Sequence, residues 1–153
     1  MSLLRNLFGK NAGSEQRSEK LSTLTDEELW LLQNKMVNFG LDFKDQPVTQ
    51  RDHQSVMDEM FRRKIINDRS LRLYQEGIQF AQQHDFRRAA DKFREATKES
   101  PRFLTALNNL GAALLELGNP QEALEVLKEG KKICLTLDLA TNIDKAEAML
   151  AIR

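Results

Sequence analysis

Two consecutive stretches of this 153-residue sequence decide its fold, because the second repeats the pattern of the first. Residues 70–103 read SLRLYQEGIQFAQQHDFRRAADKFREATKESPRF, and residues 104–137 read LTALNNLGAALLELGNPQEALEVLKEGKKICLTL. The residues that agree at an offset of 34 positions are Leu73 and Leu107, Gly77 and Gly111, Phe80 and Leu114, Ala89 and Ala123, and Phe93 and Leu127. A period of this length predicts a stacked array of helix-turn-helix units.

Small residues stand where the two helices of each unit are expected to cross. The pattern predicts two helix pairs, 73–82 with 86–98 and 107–117 with 120–132. Gly77 and Gly111 lie inside the first helix of each pair, and a close helix crossing needs a small residue opposite a large one. His84 and Gly118 separate the paired helices and are predicted to end the first of them.

This arrangement resembles the tetratricopeptide repeat (TPR), whose signature runs W-x2-L-G-x2-Y, then A-x3-F, then P. The first unit matches it with Leu73, Gly77, Phe80, Ala89, Phe93 and Pro101, and the second with Leu107, Leu110, Gly111, Leu114, Ala123 and Leu127. Glu76 stands where the family has leucine, and Leu135 replaces the second closing proline, so the last helix of that unit is expected to run on. The resemblance covers residues 70–137 and implies an all-α, TPR-like α-solenoid, a right-handed superhelix of helix-turn-helix repeats.

The sequence after the second unit departs from the repeat. A third copy would place Lys145 at the small position, where a lysine cannot fill a tight helix crossing. Apolar residues still recur at helical spacing, at Leu139, Ala140, Ile143, Ala146, Met149 and Leu150. Residues 139–152 are therefore predicted to be a C-terminal capping helix, and 69–153 a TPR-like domain that includes it.

Residues 24–68 are predicted to be an N-terminal helical region. Thr25 with Glu28 three residues later forms a capping box, which marks the start of a helix. The apolar stripe of that helix is Leu29, Leu32, Met36 and Phe39, and Gly40 is expected to end it. After Pro47, Thr49 and Asp52 predict the start of a second helix. Whether these helices fill the groove of the repeats stays open at this stage.

Residues 1–23 are predicted to be a flexible N-terminal segment, with a polar tether over 14–20. Near its start, Leu3, Leu4, Leu7 and Phe8 would share one side of a short helix. Three interpretations remain for this stretch: a frayed terminus, a weak interfacial membrane anchor, or a docking peptide.

The densest basic run follows the N-terminal helices and consists of Arg62, Arg63, Lys64, Arg69 and Arg72. Cations are favoured in the last turn of a helix, and carboxylates that could pair with them stand nearby at Glu59, Asp68 and Glu76. This favours a set of local ion pairs over a patch for nucleic acid or anionic lipid.

Composition excludes several classes of function. Lys and Arg total 23, and so do Asp and Glu, a balance that gives no general attraction for nucleic acid. The histidines His53 and His84 form no metal-ligand spacing with the single cysteine, Cys134, which is expected to be a packed residue at a helix end. No phosphate loop or nucleophile elbow is present. With neither a secretory signal nor an apolar run long enough to cross a membrane, we expect a cytoplasmic, non-catalytic protein without metal or cofactor.

The family resemblance implies that the first helix of each unit lines a concave binding surface. The expected groove residues are Leu71, Tyr74, Ile78, Ala81, Thr105, Asn108, Ala112 and Leu115. This surface is mostly apolar, with Asn108 and the Tyr74 hydroxyl as its polar groups. Family members that bind the C-terminal carboxylate of chaperones carry Lys and Asn on the first groove helix. This chain has Tyr74 and Ile78 there and only Asn109 in agreement, so we do not expect a carboxylate clamp.

The sequence as a whole favours a protein–protein interaction adaptor or scaffold. Its groove is expected to bind a protein partner as an amphipathic helix or as an extended apolar segment. One alternative is a small secretion or assembly chaperone that shields a hydrophobic client. The other is a membrane-tethered assembly factor anchored by residues 1–8, with membrane contact that is weak.

Overall fold

The computed structural model describes residues 14–38 and 50–152, which form eight α-helices and no strand. The helices are α1 (Ser14–Ser22), α2 (Asp26–Asn38), α3 (Gln50–Arg62), α4 (Asp68–Gln82), α5 (Phe86–Glu99), α6 (Leu104–Glu116), α7 (Pro120–Ile133) and α8 (Leu137–Ala151). The chain divides into two compact units, Met1–Arg63 with α1 to α3 and Lys64–Arg153 with α4 to α8. The expected all-α fold is confirmed for the described residues, whereas the three-part division at 23/24 and 68/69 stays a prediction.

The second unit is an array in which each helix packs against the next, from α4 to α8. Its core confirms the predicted helix crossings. A Cβ atom at Gly77 would lie 2.6 Å from Cε1 of Phe93, so only a glycine lets α4 approach the ring on α5 this closely. Phe93 is 2 % exposed and Leu127, its counterpart on α7, is fully buried.

The turns inside the two repeats share one backbone conformation. His84 has a φ of 58° between α4 and α5, and Gly118 has a φ of 74° between α6 and α7. Both values lie in the left-handed region that ends many helices. The prediction that these two residues end the first helix of each unit is therefore confirmed.

The helix ends differ most clearly from the sequence expectation in three places. The first helix of each repeat begins earlier than expected, α4 at Asp68 rather than 73 and α6 at Leu104 rather than 107. At α4 the reason is a capping box, since the Asn67 side chain accepts from the Ser70 amide while the Ser70 hydroxyl accepts from the Asn67 amide. The expectation that α7 runs on is wrong, because Cys134 turns to an extended backbone and the Thr136 hydroxyl caps α8 through the Leu139 amide.

Helix α8 closes the described part of the array by packing on α7 and α6. Its buried residues are Leu139, Ile143 and Ala146. Lys145, which would disrupt a regular crossing, is exposed and pairs with Glu116 at 2.8 Å. A lysine is tolerated there because no further helix of the described residues covers it.

In the first unit, Arg63 connects α1, α2 and α3. Its guanidinium donates to the carbonyl oxygens of Leu21, Ser22 and Leu24 at 3.0, 3.0 and 2.6 Å, and to the carboxylates of Asp26 and Glu59. The carbonyls at the end of α1 are therefore satisfied by a cation, which is the charge that a helix C-terminus favours.

Helix α1 occupies the whole stretch, residues 14–20, that was expected to be a polar tether. Its last turn is held by the buried side chain of Leu21, in addition to the Arg63 bonds. The capping box of α2 is confirmed, because the Thr25 amide donates to the Glu28 carboxylate and the Glu28 amide donates to the Thr25 hydroxyl. The expectations for residues 1–8, Phe39, Gly40, Pro47 and Thr49 fall outside the described residues.

Three of the five residues of the basic run, Arg62, Arg63 and Arg69, form ion pairs, although not all with the expected partners. Glu59 pairs with both Arg62 and Arg63, as expected, and is itself 4 % exposed. These two arginines hold the pKa of the Glu59 carboxyl below its ordinary value, the Arg62 hydrogen bond being the largest cause and burial opposing it. Arg69 pairs with Glu99 on α5 instead of Asp68, and Glu76 pairs with Lys92.

Candidate functional site

The eight expected groove residues lie on the first helix of each repeat, and we call the surface that they share the groove face. Those that are half-buried are Leu71, Tyr74, Ile78 and Ala81 on α4, and Thr105, Asn108 and Ala112 on α6. Leu115 differs, because it is only 3 % exposed and belongs to the core of the unit. Seven of the eight residues therefore retain surface that a ligand could contact.

Tyr74 is partly a packing residue, although the sequence marks it only as a groove residue. Its ring centroid lies 5.7 Å from that of Phe93 and 5.0 Å from that of Phe103. The Tyr74 hydroxyl accepts a hydrogen bond from Nδ2 of Asn109 at 3.2 Å. Burial raises the pKa of the Tyr74 hydroxyl, and the Asn109 hydrogen bond acts in the opposite direction. Tyr74 on α4 thus contacts α5, α6 and the loop between α5 and α6.

Asn108 is joined to α8 in the same way. Its Oδ1 accepts a hydrogen bond from Nδ2 of Asn142 at 2.9 Å. Asn142 follows Asn108 by 34 positions, just as Asn108 follows Tyr74, so the repeat register extends into α8 at this point. The sequence reasoning missed Asn142 as a groove group, although the 34-residue offset could have identified it.

Together Tyr74, Asn108, Asn109 and Asn142 form what we call the polar seam. Each asparagine amide has two donor hydrogens and an acceptor oxygen, more than the seam uses. Within the described residues, Nδ2 of Asn108 and Oδ1 of Asn109 make no hydrogen bond. The seam therefore offers both a donor and an acceptor beside the apolar groove residues.

Comparison with known proteins matches this part of the chain to a family. Residues 74–133 match the family model described as tetratricopeptide repeat. This match supports the resemblance of the segment to tetratricopeptide repeats, and we refer to it as the tetratricopeptide repeat region. No curated protein matches the chain. The matched residues run from Tyr74 in α4 to the last residue of α7, and so include both glycine crossings. Tetratricopeptide repeats generally mediate protein–protein interaction, and the family is typically non-catalytic.

Charge in the tetratricopeptide repeat region is kept away from the groove face. None of the eight groove residues is ionisable as an acid or base near neutral pH. Ion pairs lie instead around α5, where Lys92 bonds to Glu76 on α4 at 2.8 Å and Arg94 bonds to Glu122 on α7 at 2.8 Å. The first pair joins the two helices of the first repeat, and the other joins the second helices of the two repeats. Neither pair involves a residue of the groove face.

The described residues show no constellation for metal chemistry. No group of three or more His, Cys, Asp or Glu side chains is arranged to hold a metal ion in residues 14–38 and 50–152. His53 lies in α3, His84 in the turn after α4, and Cys134 is buried after α7. No helix in these ranges has both the length and the apolar character needed to cross a membrane.

Proposed function

We propose that the tetratricopeptide repeat region binds a protein segment along the groove face and acts as a non-catalytic adaptor or scaffold. One observation carries this proposal: half-exposed apolar residues on α4 and α6 lie beside unused hydrogen-bonding groups of the polar seam. Burial of apolar area on these residues favours binding. Directional hydrogen bonds fix the register of the bound segment.

The groove face fits a partner that is apolar on one side and carries polar groups that can meet the seam. Leu71 and Ile78 are seven residues apart on α4, so they lie on the same side of that helix, two turns apart. Both an amphipathic helix and an extended apolar segment can contact two such residues. Absence of charge on the groove face argues against a partner that depends on a carboxylate or a cation at this surface.

Peptides selected from a phage-displayed library against the full chain test the proposal. Their dissociation constants are then measured by fluorescence polarisation for three proteins: the native chain, the double variant Leu71→Glu with Ile78→Glu, and the control Val126→Glu. Val126 is also half-buried but lies on α7, outside the groove face. We expect at least a tenfold loss of affinity in the double variant and none in the control, with unchanged helical circular dichroism in both.

Equal peptide affinity in the folded double variant would show that binding uses another surface, and the proposal would then be wrong. Circular dichroism of the bound peptide separates the two partner conformations, because only an amphipathic helix gains helical signal. The chaperone alternative stays a hypothesis, as does the cytoplasmic location. The membrane-tethered alternative depends on residues 1–8, which lie outside the described residues.

A further inference from the structure

The connection between α7 and α8 exposes two large apolar side chains. Leu135 is 50 % exposed and Leu137 is 75 % exposed, whereas Cys134 and Thr136, the residues that precede them, are 2 % and 8 % exposed. The backbone is extended at Cys134 (φ −164°, ψ 133°) and at Thr136 (φ −90°, ψ 162°). Alternate side chains of an extended backbone point to opposite sides. The two leucines therefore share the outward side of this connection.

These leucines are not explained by the repeat fold. Leu135 stands where the first repeat has Pro101, and Leu137 stands where it has Phe103, which is 4 % exposed. Only two other large apolar side chains are exposed among the described residues, Leu117 and Ile152. Half of the exposed large apolar residues thus occur within three consecutive positions.

Three lysines in the last turns of α7 precede this connection. Lys128, Lys131 and Lys132 are exposed and lie at spacings of three and four residues, which places them on one face of the last turns of α7. Lys132 pairs with Glu129 at 2.6 Å, while Lys128 and Lys131 make no ion pair with another described residue. The other carboxylate in this stretch is Asp138, in the first turn of α8.

We propose that this patch, formed by Lys128, Lys131, Lys132, Leu135 and Leu137, docks the chain on an anionic lipid surface. The leucines enter the interface between headgroups and acyl chains, and the lysine ammonium groups bind lipid phosphates and carboxylates. A lipid surface fits better than a folded protein, because a stable protein interface buries about 800 Å² on each side and two leucines provide a small part of that. The groove face lies on α4 and α6, so this proposal does not depend on the proposed function.

Vesicle co-sedimentation of the full chain tests the proposal. Vesicles of phosphatidylcholine alone are compared with vesicles that also contain phosphatidylserine. The first variant is Leu135→Ser with Leu137→Ser, and the second is Lys128→Glu with Lys131→Glu. The control is Leu117→Ser, an exposed leucine beyond the other end of α7, whose 14 residues span about 21 Å. Melting curves for each protein establish that the fold is retained.

We expect the native chain and the Leu117 control to bind the phosphatidylserine vesicles, and both double variants to bind at least tenfold more weakly. Binding should fall with added salt and be absent on phosphatidylcholine alone, because the lysines require anionic headgroups. Should the serine pair lower the melting temperature, Leu135→Ala with Leu137→Ala takes its place.

Three results would overturn the proposal. The first is a native chain that does not bind the phosphatidylserine vesicles, and the second is equal binding by either folded double variant. The third is binding to polyglutamate without binding to vesicles, lost on Lys128→Glu with Lys131→Glu. That result would assign the patch to an acidic protein segment instead.

Discussion

A Cβ atom on Gly111 would lie 2.5 Å from Cγ of Leu127, so α6 and α7 approach each other more closely than any other residue type allows. Gly77 and Phe93 stand in the same relationship 34 residues earlier. Each repeat therefore depends on a glycine that lies opposite a large buried side chain of the partner helix.

Gly111→Ala should destabilise the repeat region, since the methyl group overlaps Leu127. Gly130→Ala is the matched control, because its Cβ would be 3.2 Å from its nearest neighbour, Cδ1 of Leu139. Both changes remove a helical glycine, so the helix propensity gain of about 1 kcal/mol cancels in the comparison. We expect the free energy of unfolding, measured by urea denaturation, to be about 1 to 3 kcal/mol lower for Gly111→Ala than for Gly130→Ala. Equal free energies would contradict the tight crossing.

Gly118→Ala tests the turn between α6 and α7. Its cost should be purely conformational, because a Cβ there meets no atom within 4 Å while φ is 74°. A left-handed backbone costs a residue with a Cβ about 1 to 2 kcal/mol. Gly118→Asn should cost less, since asparagine tolerates this conformation. If Gly118→Asn had a lower melting temperature than Gly118→Ala, the turn would have to rearrange in these variants.

Arg63→Ala should destabilise the first unit far more than Arg62→Ala, although both arginines pair with Glu59. Arg63 is 17 % exposed and bonds to three main-chain carbonyls, whereas Arg62 is 61 % exposed. We expect a loss of about 2 to 4 kcal/mol for Arg63→Ala, because it removes one of the two cations of the buried Glu59 and leaves three main-chain carbonyls without their donor. For Arg62→Ala we expect a much smaller loss, because its guanidinium lies largely in solvent, where an ion pair contributes little.

The fluorescence of Trp30 reports these losses, since it is the single tryptophan and is buried in α2. If Arg63→Ala and Arg62→Ala lowered the free energy of unfolding by similar amounts, Arg63 would not hold α1 and α2 to α3.

The ion pairs of Glu59 with Arg62 and Arg63 predict that the stability of the first unit falls at acid pH. The folded pKa of Glu59 is lowered from its ordinary value of 4.5, so its contribution is fully present above that value and is lost as pH falls through the folded pKa. In Glu59→Gln this part of the acid dependence should be absent. Urea midpoints followed by Trp30 fluorescence between neutral and acid pH measure it, and identical pH profiles of the two proteins would refute it.

The buried hydroxyl of Tyr74 predicts that the stability of the repeat region falls at alkaline pH. Tyr74 is the single tyrosine of the sequence. Its pKa is raised above 10.0 by burial, so stability should be complete below that value and fall as pH rises toward the folded pKa. Asn109→Ala removes a donor that favours the ionised form and should raise the Tyr74 pKa further. Ultraviolet titration of the phenolate measures the Tyr74 pKa in the native chain and in Asn109→Ala. A Tyr74 pKa at or below its ordinary value in the native chain would contradict the packing of its ring.

Local and periodic features of this protein could be predicted from the sequence because they depend on residues close together or on a repeat. The capping box of Thr25 and Glu28 joins groups three positions apart, and its geometry follows from helix formation itself. The fixed offset of Gly77 and Gly111 identifies the crossings, since the same backbone arrangement requires the same small residue twice. The left-handed turns at His84 and Gly118 follow from that offset as well.

Tertiary structure alone decided which side chains meet across distant parts of the chain. Arg63 bonds to Leu21 and Leu24, which are 42 and 39 positions away, and no local pattern marks a main-chain carbonyl as a partner. Leu115 was expected in the groove and is buried, while Asn142 reaches Asn108 from a helix that lacks the repeat signature. The physical reason is that burial and pairing depend on the rotation of each helix against its neighbours, and that rotation results from the packing of all of them together.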